Sequence, residues 1–303
     1  MAISRAQLLK ELLPGLNGLF GMEYKEYGNE WSQLFDTESS DRSFEEETKL
    51  SGFSAAPVKG EGQAIQYDEA QEAWTARWSH ETIALGFSIT EEAMEDNLYD
   101  SLSKRYTKAL ARAMAYTKET KGAAVLNNAF DTDYTGGDGQ TLCSTAHPLV
   151  GGGTNSNRPS TDIDLSEAAI EAAVIQVADW TDERGLLIAA KPKKLIIPTN
   201  LMFIATRILE TQQRVATADN DINAIRTNGS IPGGYSVNHY ITDNDAWYLT
   251  TDVPNGLKHF NRVGMSTKMD GDFDTGNVRY KARERYSFGY GDPLGIWGTS
   301  GGA

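Results

Sequence analysis

The chain carries one cysteine in 303 residues, Cys143, so no intrachain disulfide can staple the fold, and a reducing cytoplasm is its simplest setting. No apolar run approaches the roughly 18 residues needed to cross a bilayer. The Leu-rich opening from Met1 to Gly21 is interrupted by Lys10, Glu11 and Pro14 and lacks a small-residue cleavage site, which argues against a secretory signal. The four histidines, His80, His147, His239 and His259, stand singly without HxxxH or HxH spacing, so any zinc site would have to be assembled by tertiary structure. His147, in Thr145-Ala146-His147-Pro148, reads as a capping or turn residue. Walker and GxGxxG patterns are missing, and Gly151-Gly152-Gly153 is not followed by the Lys-Ser/Thr a phosphate loop needs. No catalytic, cofactor-binding or metal residue is therefore assigned. A soluble hydrolase whose site forms only in three dimensions is the remaining enzymatic alternative.

Two acidic loops come near calcium chemistry and stop short of it. Asp131-Thr132-Asp133-Tyr134-Thr135-Gly136 places acids at positions 1 and 3 and Gly at 6, but position 12 is Leu142 where a bidentate Glu is required. Asp270, Asp272 and Asp274 fail likewise, with Gly276 one place late and Lys281 at position 12. Asn228-Gly229-Ser230 matches a glycosylation sequon, which carries no meaning without secretion.

Charge of one sign is concentrated. Between Glu23 and Asp100, nineteen acids face five bases, and the difference equals the entire formal charge of −14. An acidic chain with no aromatic-interleaved basic cluster is a poor nucleic-acid reader, so contact with DNA is expected to be weak and phosphate-directed. A solvated face is the plain reading of the acids. On a projecting arm they would also keep free subunits apart and steer docking onto a basic surface. Lys104, Arg105, Lys108, Arg112, Lys118 and Lys121 form one such surface.

Those six lie on the most conspicuous element. From Thr90 to Lys121 there is no Gly or Pro, and a helix of that length would be about 48 Å long. Thr90 is its expected cap, followed by Glu91 and Glu92, and Met94, Leu98, Leu102, Tyr106, Leu110 and Met114 form its apolar stripe. Before it, β-formers over Ser43 to Phe53 and Glu72 to Ile89 read as the arms of a long hairpin. Trp74, Ala76 and Trp78 share one parity and Ile83, Leu85, Phe87 and Ile89 the other, so a bend or bulge is expected near Ser79 to Thr82. Ala55 to Gly62 is the loop between the arms. An isolated hairpin is marginal in water, so this one needs a partner surface, with Trp74 or Trp78 available for burial there.

Elsewhere, a short helix is expected from Ser4 to Leu13, stopped by Pro14-Gly15, then a segment dotted with Phe20, Tyr24, Tyr27, Trp31 and Phe35. Asp164 to Asp182 reads as a helix capped by Asp164 with Ala169, Ala173, Val177 and Trp180 on one face. Lys193 to Pro198 is a strand leading to a helix over Asn200 to Gln212. Strands follow over Val237 to Thr242, Ala246 to Thr251, Gly256 to Arg262 and Gly276 to Arg285, with a Gly-rich tail from Phe288.

This order, together with Pro14-Gly15-Leu16, Gly52-Phe53 through Ala55-Ala56-Pro57-Val58-Lys59, Ser144 to Leu149, Leu195-Ile196-Ile197-Pro198 and Arg283 to Gly289, resembles the major capsid proteins of tailed bacteriophages. The strings are most similar to the branch of head subunits related to that of phage Mu. The resemblance implies an α+β fold of Hong Kong 97 type: an N-terminal arm over 1–40, an extended hairpin loop over 41–89, a peripheral domain with the spine helix over 90–192 and 253–303, and an axial domain over 193–252. It implies a structural protein with no cofactor. Such a subunit self-assembles as hexamers and pentamers into an icosahedral head around double-stranded DNA, in the host cytoplasm, with portal and possible decoration proteins as partners and no membrane. The arm begins within the first residues, so a separate scaffold protein is expected. No isopeptide pair is located, Lys59 near the hairpin tip included. An encapsulin-like nanocompartment shell is the nearest alternative.

Overall fold

The computed structural model describes residues 5–90, 92, 99–213, 221–272 and 276–302. Helix α1 (Arg5–Glu26) leads to strand β1 (Asp36–Ser39), then β2 (Phe44–Leu50), β3 (Glu72–Ser79) and β4 (Glu81–Ile89). The spine helix α2 (Tyr99–Asn127) is followed by short strands β5 (His147–Pro148) and β6 (Thr154–Asn155) and by helix α3 (Glu167–Ala178). Strand β7 (Pro192–Ile197), helices α4 (Met202–Glu210) and α5 (Ala224–Asn228), and strands β8 (Tyr235–Val237), β9 (Trp247–Thr251), β10 (Leu257–Gly271), β11 (Val278–Tyr290) and β12 (Ile296–Thr299) complete the chain.

Two four-stranded sheets organise these elements. In the first, ordered β1-β10-β11-β4, the long antiparallel pair β10–β11 is flanked by β4 and by the parallel strand β1. Along β11, Val278, Tyr280, Ala282, Glu284 and Tyr286 are buried while Arg279, Lys281 and Arg283 are exposed, the period of two that a half-buried strand requires. Tyr280 and Ala282 pack with Leu110, Ala111 and Met114 of the spine helix and with Leu16 and Phe20 of α1.

The second sheet, ordered β12-β9-β7-β8, is buried on both faces. Leu195, Ile197, Trp247, Leu249 and Trp297 join α3 through Ile170, Ala173 and Val177. Ile196, Tyr248 and Ile296 face the opposite core, with Phe35, Leu126, Leu142 and Cys143. Burial on both sides explains the unbroken Leu195-Ile196-Ile197 run.

The hairpin bend falls where the parity changes, and its cause is a change of sheet. β3 pairs antiparallel with β2, from Phe44↔Ser79 to Leu50↔Glu72, whereas β4 pairs with β11. His80 alone separates them. The first arm is shorter than expected and ends at Leu50.

Several expectations are corrected. The first helix does not stop at Pro14 but runs to Glu26. Proline inside a helix costs about 3 kcal/mol. Burying Leu16 and Phe20, one turn apart, returns roughly 2 to 3 kcal/mol each. The spine helix continues six residues past Lys121 to Asn127, through Gly122, where an added Cβ would lie 3.0 Å from Trp31 Cβ. Its beginning, with Glu91, Met94 and Leu98, lies outside the described residues, as does the side chain of Leu102. Tyr106 is exposed because steps of four drift away from a 3.6-residue turn, and Ser103 and Thr107 occupy the buried face instead. Helix α3 is capped by Ser166, whose hydroxyl accepts from Ala169 N at 3.2 Å. Asp164 instead accepts from Gly302 N at 2.8 Å. Beyond Val237 the expected strand gives way to a turn in which Asn238 accepts from Tyr240 N at 2.9 Å. The Gly-rich tail supplies β12, and Gly298 is required there because a Cβ would meet the Tyr248 ring at 2.6 Å and Cys143 Sγ at 2.8 Å.

Candidate assembly surface

The hairpin projects as a rigid root and an uncovered tip. At the tip, Ser51 N donates to Gln71 O at 2.8 Å and Gln71 N to Ser51 Oγ at 2.9 Å, closing the loop. Every residue from Gly52 to Gln71 is exposed, including Val58 at 99% and Tyr67 at 90%, with Phe53 and Ile65 beside them. Large apolar side chains held in water at one end of a molecule mark a contact site.

The root is locked from several sides. Trp78 is 3% exposed and stacks edge-on against Phe260, with ring centroids 5.1 Å apart. It is buried in its own chain, so it is not available to a neighbour, and Trp74 is already half-buried. Lys49 sits 3.0 Å from Glu183 and 2.7 Å from Asp292. Burial pulls its ammonium down, but the two carboxylates outweigh that and hold it above its ordinary range. Lys258 likewise bridges Glu47 and, at 3.0 Å, Glu38. His80, at the break between β3 and β4, joins Ser40 at 2.9 Å to Ser287 at 3.0 Å.

The calcium-like loop serves this root. A Cβ on Gly137 would stand 2.6 Å from Thr75 O and 2.7 Å from the Trp74 ring, and one on Gly136 would strike Tyr290 at 2.8 Å. Asp131 accepts from Asp133 N at 3.0 Å as an ordinary turn residue. Asp270 accepts from the next amide, Gly271 N, at 3.0 Å, Asp272 pairs with Arg279 at 2.5 Å, and Asp274 lies outside the described residues. Among the described residues no group of three His, Cys, Asp or Glu side chains could hold a metal ion.

The histidines and cysteine are dispersed. His147 is a buried cross-link in β5, not the capping or turn residue expected: its Nδ1 lies 2.6 Å from Asp138 Oδ2 and its Nε2 3.0 Å from Asn157 Oδ1. Asn157 Nδ2 reaches the carbonyls of Leu142, Pro293 and Ile296 at 2.7, 2.9 and 3.1 Å, tying the loop to β12. His239 faces Glu30 at 2.6 Å. His259 is enclosed by Trp31, Tyr286 and Phe288, and burial, helped by Lys118, drives its pKa to about 3. Burial also pushes the Cys143 thiol far up, away from nucleophilic use. Gly229 takes φ +61° as the C-cap of α5, which accounts for the sequon.

On the spine helix the basic surface is partly consumed. Lys108 pairs with Glu23, Lys121 with Glu81, and Lys118 with Glu284 at 3.3 Å. Sequence reasoning missed these pairings, along with Lys49, Lys258 and Asn157, because each partner lies far along the chain and leaves no local pattern.

A long spine helix against one sheet, a second sheet buried on both faces and a hairpin thrown outward define the Hong Kong 97-type class of phage capsid fold. The similarity to the capsid of cyanophage P-SCSP1u has a TM-score of 0.57 at 12% identity, covering 88% of this chain and 85% of that one. The capsid of Myoviridae phage XM1 gives 0.55 at 11%, covering 88% and 89%. A virus-like particle from Pyrococcus furiosus gives 0.52 at 11%, covering 95% and 99%. No curated protein matches the sequence. The family model described as phage capsid protein matches residues 75–298, and the chain belongs to that family.

Proposed function

We propose that this chain is the major subunit of a tailed-phage head, tiling an icosahedral shell as hexamers and pentamers around double-stranded DNA. The observation that carries the reading is the tip at 52–71, uncovered within its own chain on a root fixed by Trp78, Lys49 and Lys258. Residues 193–252 would form the axial unit, and residues 90–192 with 253–303, carrying the spine helix and the β10–β11 pair, the peripheral one. The role is mechanical, with no catalytic step. Many weak contacts between copies sum to a stable shell. DNA would be touched weakly and without sequence preference, and scaffold, portal and decoration proteins would complete the particle in the host cytoplasm.

The likeness to the Pyrococcus furiosus virus-like particle supports a second reading, a shell that encloses something other than DNA. Negative-stain electron microscopy with analytical ultracentrifugation of the purified chain tests the shell itself, and nuclease-protected DNA in particles from infected or lysing cells separates the two contents. Rings or closed shells are expected, with protected DNA. A monomer under every salt and scaffold condition would overturn the proposal.

A further inference from the structure

The first sheet packs one face on the spine helix and carries the hairpin root on one end of the other. There Trp78 seats on Phe260, which pairs with Ser287. Beyond that contact β11 presents Arg285, half-buried, then Arg283, Lys281 and Arg279, all exposed. These four cations alternate with buried side chains, so they form one row with a repeat of about 6.8 Å. Lys268 of β10 stands directly across from Lys281. Like charges placed opposite each other destabilise a sheet, and this pair lacks a counter-charge: among the described residues no carboxylate lies within 4 Å of Lys268, Lys281, Arg283 or Arg285. Among the same residues, Arg285 Nε is buried with no hydrogen-bond partner.

The row is one strand wide. On the β4 side, Thr82, Ala84, Gly86 and Ser88 stand opposite Arg285, Arg283, Lys281 and Arg279, exposed and short, so the long cationic side chains border an uncharged ledge at the sheet edge. At the far end are Asp270, opposite Arg279, and Asp272, paired with it, around a concavity of about 400 Å³ that Lys268 and Lys281 also line. Duplex DNA would spread its charge over several strands and onto these two acids, whereas an extended peptide repeats its same-side residues at the spacing of the row. We propose that this face binds an extended acidic segment of a partner protein, laid along β11 with carboxylates at every second residue on Lys281, Arg283 and Arg285. A second copy of this chain does not supply the pattern: acids at three successive alternate positions occur only at Asp270, Asp272 and Asp274, which adjoin the row in sequence.

Fluorescence anisotropy tests the site on the unassembled wild-type subunit, with a labelled peptide of alternating Glu and Thr cut to the length of Arg279–Arg285. The probes beside it are a peptide of the same composition with its glutamates in one block, duplex DNA, and a peptide of residues 52–71. The alternating peptide is expected to bind saturably, more tightly than the other three, and more weakly as salt rises. K281Q/R283Q should lose at least about tenfold in affinity and K281R/R283K should keep it, with circular dichroism unchanged in both because the side chains are exposed. Shell formation, read by negative-stain microscopy, is expected to be normal in K281Q/R283Q, which separates a failure of this site from a failure of the shell reading. Equal binding of the alternating and blocked peptides, or full binding by K281Q/R283Q, overturns the proposal. Tighter binding of DNA assigns the face to nucleic acid, and tighter binding of the 52–71 peptide or loss of shells by folded K281Q/R283Q assigns it to contacts between copies; each overturns it as well.

Discussion

Glu119 of the spine helix accepts from the backbone N–H of Trp31 at 3.1 Å, and its other oxygen accepts from Glu30 N at 3.0 Å. One carboxylate thus fastens the segment after α1 to the spine. Glu30 in turn uses its side chain to hold His239 N at 2.8 Å, so three remote stretches of sequence meet here.

Burial raises the pKa of Glu119 to about 7, although the Trp31 and Glu30 amides pull it down. The sign follows: the folded value lies above the ordinary carboxyl value, so folding favours the neutral acid. Its contribution is full below about pH 4.5 and is lost as pH rises through 7. Urea unfolding of the unassembled wild-type subunit should weaken between pH 5 and 8 by up to roughly 3 kcal/mol more than that of E119Q. Parallel pH profiles would show that the carboxylate is fully compensated.

Gly289 has no room for a side chain, since a Cβ there would lie 2.6 Å from Trp78 Nε1 and 2.7 Å from Cδ1. Gly289→Ala should therefore cost about 1 to 3 kcal/mol by overpacking, and Trp78→Ala about 3 to 5 kcal/mol by leaving a cavity under the hairpin. Chemical denaturation gives both values. If Gly289→Ala is neutral, the root is looser than this packing implies.

Lys49→Met removes the cation shared by Glu183 and Asp292 and leaves two carboxylates facing each other's field. Because Lys49 retains some solvent access, a loss of roughly 1 to 3 kcal/mol is expected, below that of a fully buried pair. The hairpin should also become cleavable at its root near Leu50 and Glu72 as well as at its tip. Limited proteolysis with mass spectrometry reads the cut sites, and a tip-only pattern would free Lys49 of any part in aiming the hairpin.

What could be read in the sequence was periodic. The alternation of Trp74, Ala76 and Trp78 against Ile83 and Phe87 placed a bend near Ser79 to Thr82, where it falls at His80, without saying that two different sheets caused it. The absence of helix breakers located the spine. Pro14 misled because Leu16 and Phe20 beyond it pack against Leu110 and Met114, and Gly122 and Gly298 because each lies close against a tertiary neighbour, Trp31 and Tyr248 respectively, that outweighs local propensity. Asp164 is the expected cap of α3, but Ser166 takes that place, while Asp164 accepts from Gly302 of the tail, a contact no local pattern announces. The assembly surface was legible as charge but not as pairs: nothing near Lys121 or Lys108 in the chain announces Glu81 or Glu23.

Deleting Phe53 to Glu72 should leave the two sheets intact, because no described residue in 53–71 contributes to either core. The shortened subunit is expected to unfold cooperatively near the wild-type midpoint and to form no shells. Ionic strength divides what the tip does before contact from what it does after. Carboxylates and guanidiniums separated by more than the Debye length, about 10 Å at 0.1 M salt, no longer feel each other, whereas apolar burial by Val58 and Tyr67 is indifferent to that screening. Light scattering should therefore show the assembly rate of the full chain falling steeply from low to high salt while finished shells persist. A flat rate would mean that the acids serve only to keep the tip solvated until an apolar surface covers it.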